Sequence, residues 1–107
     1  MSTITQITDA QFETEVVNSD QPVLVDFFAT WCPPCQRLTP ILEDLAKAYD
    51  GKIKFVKLNT DEQQVWAGKL GVRGLPTLAY YKAGEAVKVE GGFAPPNHIK
   101  GLLDNLL

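Results

Sequence analysis

The junction between an apolar run and a helical pattern, with both cysteines in it, constrains this chain most. Val23-Leu24-Val25-Asp26-Phe27-Phe28-Ala29 is followed, after Thr30 alone, by Trp31-Cys32-Pro33-Pro34-Cys35. The run reads as a strand buried on both faces. After it, Leu38, Ile41, Leu42, Leu45 and Ala46 recur at helical spacing, so a helix is predicted from about Cys32 to Tyr49, ended by Gly51 and kinked at Pro40. One helical turn separates the cysteines by roughly 5 Å at Cα, inside the disulfide range. Closing so small a loop adds little stability, because disulfide stabilisation grows with loop length. The pair is therefore suited to opening and closing, which points to thiol–disulfide exchange.

Position gives the two thiols different roles. Cys32 opens the helix, where free N–H groups and the positive dipole end favour an anion. A thiolate is the nucleophile in exchange, so Cys32 is the expected attacker. Cys35 lies one turn later and is expected further inside, as the resolving thiol. Pro33 and Pro34 fill the first two helical positions, where an N–H has no intrahelical acceptor. They also remove two donors, which leaves the Cys35 N–H as the main local donor to Cys32. Two other readings compete: a pair of small buried apolar residues, or a metal site. A closed zinc site takes about four ligands, and this chain offers two cysteines and His98. No metal is expected.

Around this junction, 107 residues make one domain the expectation. Ten basic and thirteen acidic residues leave a net charge of −3, a poor match to nucleic acid, which wants clustered Lys and Arg. No run is long enough to span a bilayer, and residues 1–20 lack a basic segment followed by an apolar one. The expected compartment is the cytosol, where cysteines stay mostly reduced. The remaining pattern predicts a strand over Thr3–Thr8, a helix capped by Asp9 and running to about Val17, and a strand over Ile53–Asn59. A helix over Glu62–Leu70, a strand leading on from Leu75, a tight turn at Ala83-Gly84, a strand over Ala86–Glu90 broken by Gly91-Gly92, and a helix capped by Asn97 complete it. Strands that alternate with helices and end in a hairpin predict an α/β fold with a mixed sheet and helices on both faces.

Several blocks, in order, resemble the thioredoxin family over essentially the whole chain. They are Val25 to Cys35, Val56-Lys57-Leu58-Asn59-Thr60-Asp61, Val72-Arg73-Gly74-Leu75-Pro76-Thr77 and Gly91-Gly92-Phe93. The resemblance implies a thioredoxin fold, a central five-stranded mixed β-sheet flanked by four α-helices. It implies that Cys32 attacks and Cys35 resolves, that Asp26 is a buried acid behind them with Lys57 as its buried partner, and that Pro76 is a cis-proline facing the disulfide. Trp31, Gly74, Leu75 and Gly92 match an apolar groove that receives protein substrates, with Pro33 and Pro34 at its edge. It further implies disulfide-containing target proteins and electrons from NADPH through a flavin-dependent thioredoxin reductase, with a redox-active disulfide and no bound cofactor. A monomer with no membrane contact is expected. Two positions depart from the family's usual pattern: Pro33 stands where Gly is usual, and Phe28 where Trp is common.

The supporting residues also read physically. Asp26 interrupts an apolar strand, so burial raises its pKa and lets it accept a proton from Cys35. Lys57 has apolar period-two neighbours in Ile53 and Phe55, which turns it inward, and pairing with Asp26 would offset its burial. Trp31, beside the nucleophile, reads as exposed and functional, Trp66 as packing, and His98 as solvated. The expected activity is reduction of protein disulfides. Alternatives are a more oxidising oxidase or isomerase, motivated by Pro33, or a subunit that uses the groove only to bind.

Overall fold

The apolar run after Pro22 forms the centre of the sheet. In the computed structural model, which describes residues 4–107, strands β1 (Thr5–Gln6), β2 (Val23–Phe28), β3 (Lys54–Asn59), β4 (Thr77–Lys82) and β5 (Glu85–Gly91) form one sheet in the order β1-β3-β2-β4-β5. β2 runs parallel to β3 and antiparallel to β4, and β4 pairs antiparallel with β5. The five-stranded mixed sheet and its four helices agree with the predicted fold. The helices are α1 (Asp9–Phe12, continued by a π-helical turn Glu13–Val17), α2 (Pro33–Ala48), α3 (Val65–Lys69) and α4 (Pro96–Asp104).

Side-chain alternation along the strands divides the core in two. Leu24, Phe55, Leu78 and Tyr80 pack with Leu38 and Leu42 of α2 and Ile99 and Leu103 of α4. Val23, Val25, Phe27, Val56 and Leu58 pack on the other face with Phe12 of α1 and Ala67 of α3. This alternation puts Asp26 and Lys57 on the α2 face, and the register sets them directly opposite one another.

Several boundaries differ from expectation for tertiary reasons. Thr3 lies outside the described residues. Thr8, not Asp9, caps α1, and Gln11 Oε1 accepts from its N–H at 3.0 Å. Asp9 instead caps α3, accepting from the Val65 N–H at 3.0 Å and the Trp66 N–H at 3.2 Å. The chain before Val65 is held in turns, with the Glu62 and Gln63 N–H groups donating to the Asn59 carbonyl; the helix therefore starts later than Glu62. At α4 the cap is Pro95, with Pro96 at the first helical position and Asn97 already inside. The hairpin turn matches the prediction: Ala83 and Gly84 both have positive φ, +52° and +83°. A Cβ on Gly84 would meet the Val17 carbonyl oxygen at 3.0 Å, so that turn takes glycine for two reasons.

Candidate active site

Strand β2 delivers the cysteine turn to one end of the sheet, and α2 begins there. Cys32 is the cap of α2 in extended conformation (φ −94°, ψ 108°), and its sulfur accepts from the Cys35 N–H at 3.2 Å. Pro33 and Pro34 are the first two helical residues and have no N–H to give. The turn is tied back by the Cys32 N–H to the Ala29 carbonyl at 3.4 Å and by Gln36 Nε2 to the Thr30 carbonyl at 2.8 Å. Cys32 and Cys35 are joined in a disulfide, with Cα atoms 5.2 Å apart.

Exposure does not separate the two cysteines as expected. Cys32 is 3 % exposed and Cys35 5 %. Both are packed with Ala29 against Phe28 and Leu75. What separates them is the groove: Cys32 lines it and Cys35 does not. The groove has a volume of about 650 Å³. Trp31, Pro33, Pro34, Gly74 and Leu75 line it, and α3 adds Ala67 and Gly68.

Trp31 is 66 % exposed, and its indole Nε1 donates to Asp61 Oδ2 at 2.8 Å. Asp61 is itself held, its N–H donating to Asn59 Oδ1 at 3.0 Å. Sequence reading missed this residue as a site component. The available signal was an Asx-turn pattern, Asn59-Thr60-Asp61, just past the end of a buried strand. Trp66 is packing as expected, stacked on Phe12 with ring centroids 4.2 Å apart. His98 is half exposed and lies 2.7 Å from Glu90.

The Leu75–Pro76 peptide bond is cis. Leu75, on its N-terminal side, packs against the cysteines, and the Thr77 hydroxyl donates to the Gly74 carbonyl at 2.7 Å. Gly92 does not line the groove beside Trp31. Its N–H donates to the Pro76 carbonyl at 2.7 Å, and it lines a second hollow, of about 460 Å³, with Phe93, Glu90 and His98. Gly92 turns the chain there with φ +94°. The surface expected to be one groove is thus two hollows, Leu75 lining one and Gly92, bonded to the cis-proline's carbonyl, lining the other.

Behind the cysteines, Asp26 is 8 % exposed and its Oδ1 has no hydrogen-bond partner. Burial lifts its carboxyl from 3.8 to about 7, and the Lys57 ammonium works against that lift. The expected pairing is therefore indirect. Lys57 is opposite Asp26 in register, but its ammonium lies over the Phe28 ring, 5.4 Å from the centroid, and no ion pair joins it to the carboxylate. Among the described residues, no group of three or more His, Cys, Asp or Glu side chains is placed to hold a metal ion.

A cysteine pair closed as a disulfide at a helix start, its first member lining an apolar groove and the pair backed by a buried acid, defines a thiol–disulfide oxidoreductase. Residues 3–105 match the family model Thioredoxin. The chain is 44% identical over 107 residues to Thioredoxin 1 of Nostoc sp., covering 100% of both chains. It is 41% identical over 107 residues to a thioredoxin of Synechocystis sp., again 100% of both. It is 44% identical over 101 residues to a thioredoxin of Pseudomonas aeruginosa, 94% of each. This chain belongs to the thioredoxin family. It is a protein-disulfide oxidoreductase whose redox group is its own Cys32–Cys35 disulfide. The isomerase and binding-subunit alternatives gain no support from these relatives.

Proposed function

We propose that the whole chain, 1–107, works as one thioredoxin domain that reduces target proteins in two steps. The Cys32 thiolate attacks a target disulfide, forms a mixed disulfide and expels one target thiolate. Asp26 takes the proton from Cys35. The Cys35 thiolate then attacks the Cys32 sulfur, the second target thiolate leaves, and two electrons have passed to the target. The observation that carries this assignment is that Cys32 lines the groove, with the Cys35 N–H directed at its sulfur. A donor aimed at that sulfur favours its anion.

In this reading an extended target segment lies against Trp31, Pro33, Pro34, Gly74 and Leu75, with Pro76 and Gly92 at its far end. Lys57 tunes the acid. Electrons return from NADPH through a thioredoxin reductase, and the protein acts as a cytoplasmic monomer that contacts neither membrane nor nucleic acid. Family membership supports these expectations; among the described residues no helix is long and apolar enough to cross a membrane.

Incubation of Cys35→Ser with insulin tests the roles. A covalent adduct through Cys32 is expected, and Cys32→Ser should neither form adducts nor reduce insulin. Reduction that survives in Cys32→Ser, or no adduct with Cys35→Ser, defeats the assignment.

A further inference from the structure

Three side chains from two strands stand together on the α2 face of the sheet. Asp26 and Phe28 are two residues apart on β2, and Lys57 lies directly across from Asp26 on β3. Lys57 thus has two partners within reach of one flexible stem: the carboxylate of Asp26 and the face of the Phe28 ring. An isolated buried carboxylate is the stronger attractor in a low dielectric. Yet the ammonium lies over the ring, 5.4 Å from its centroid, inside the range at which a cation is drawn to an aromatic face. Asp26 Oδ1 is left without any hydrogen-bond partner. The ring is itself held in place, because it packs against the Ala29, Cys32 and Cys35 cluster.

We propose that Phe28 is a positioning residue, whose ring holds the Lys57 ammonium to one side of the Asp26 carboxylate instead of in an ion pair with it. A direct ion pair would stabilise the ionised carboxylate and weaken it as a proton acceptor near neutrality. With the ammonium parked on the ring, Lys57 acts on Asp26 through space only. The inference rests on the reading of Asp26 as the acceptor for the Cys35 proton. Other neighbours do not supply a competing charge. The β4 register partner of Asp26 is Leu78, and the cysteines at the start of α2 are tied in the disulfide. Lys57 is the charged group Asp26 feels.

The test is a carboxyl-carbon NMR titration of Asp26 in the oxidised protein. Phe28→Leu keeps an apolar side chain and removes the aromatic face. It is expected to lower the Asp26 midpoint by about one pH unit, a tenfold change in the ratio of protonated to ionised carboxyl. Phe28→Trp keeps an aromatic face and should leave the midpoint in place. Pentafluorophenylalanine at position 28 preserves the ring's shape while inverting its electrostatic face, and should act like Phe28→Leu even if that variant folds poorly. In a Lys57→Met background, Phe28→Leu should have no further effect. An unmoved midpoint in both the leucine and the fluorinated proteins, or a shift that persists without Lys57, overturns the proposal. The pH profile for resolution of a mixed disulfide separates the two ideas. If the midpoint moves and the profile does not follow, the positioning of Lys57 stands and the acceptor role of Asp26 falls.

Discussion

A carboxyl moved largely out of water, with its Oδ1 given no hydrogen bond in return, is easier to keep protonated than ionised, and Asp26 is such a group. Its value rises from 3.8 to about 7, by burial first, with Lys57 in opposition. Between those values the folded chain holds a proton that the unfolded chain has released. Stability therefore falls as pH rises through this window, because the native state binds the extra proton. The contribution is fully present below 3.8 and lost above about 7. Asp26→Asn removes the titration. Relative to this variant, the native protein should lose about 2–3 kcal/mol between about pH 5 and about pH 8.5. Urea unfolding of both proteins at the two pH values checks it, and parallel pH dependences would place the proton elsewhere. The same burial that weakens the fold at high pH gives Cys35 an acceptor poised near neutrality.

Among the elements, those with a strong local period were legible and those closed by distant partners were not. β2 and α2 show in the sequence because an unbroken apolar run and a repeating helical face need no knowledge of the rest of the chain. The cysteine turn, Asp26 and Trp31 were legible for the same reason: each breaks or ends such a pattern. The cap of α3 was not, because its acceptor is Asp9, 56 residues earlier. Asp61 escaped because its bond to Trp31 joins two loops and loops carry no period. The lateral seat of Lys57 on Phe28 is likewise a choice between two neighbours that spacing alone does not resolve. The α3 cap gives a prediction at this scale. Asp9→Ala should leave two N–H groups without their acceptor and cost about 1 kcal/mol. Because α3 supplies Ala67 and Gly68 to the groove, the loss should also raise the KM for a protein disulfide with little change in kcat. Amide exchange at Val65 and Trp66 reads the fraying directly. Unchanged protection there would mean that Phe12 stacked on Trp66 holds the helix unaided.

In the whole molecule, the sheet keeps the redox turn separate from what makes the fold stable. Strand β2 is central, with β3 and β4 on either side, and each face is covered by its own apolar cluster. The disulfide lies at the end of this sandwich and spans only three positions. In the loop-entropy model, so short a closure restricts the unfolded chain by about 2 kcal/mol. Opening it removes no contact between the two clusters and the sheet. The reduced protein is therefore expected to unfold cooperatively in urea, less stable by about 2 kcal/mol and with the same denaturant slope as the oxidised form. The slope matters, because it follows the surface exposed on unfolding and would fall if reduction loosened a whole face of the sheet. A carrier that cycles between thiol and disulfide has to remain the same folded object in both states, or each turnover would include refolding. A much larger loss, or a smaller slope, would mean that the cysteine pair holds the start of α2 against the sheet, and the separation of core from redox turn would not hold.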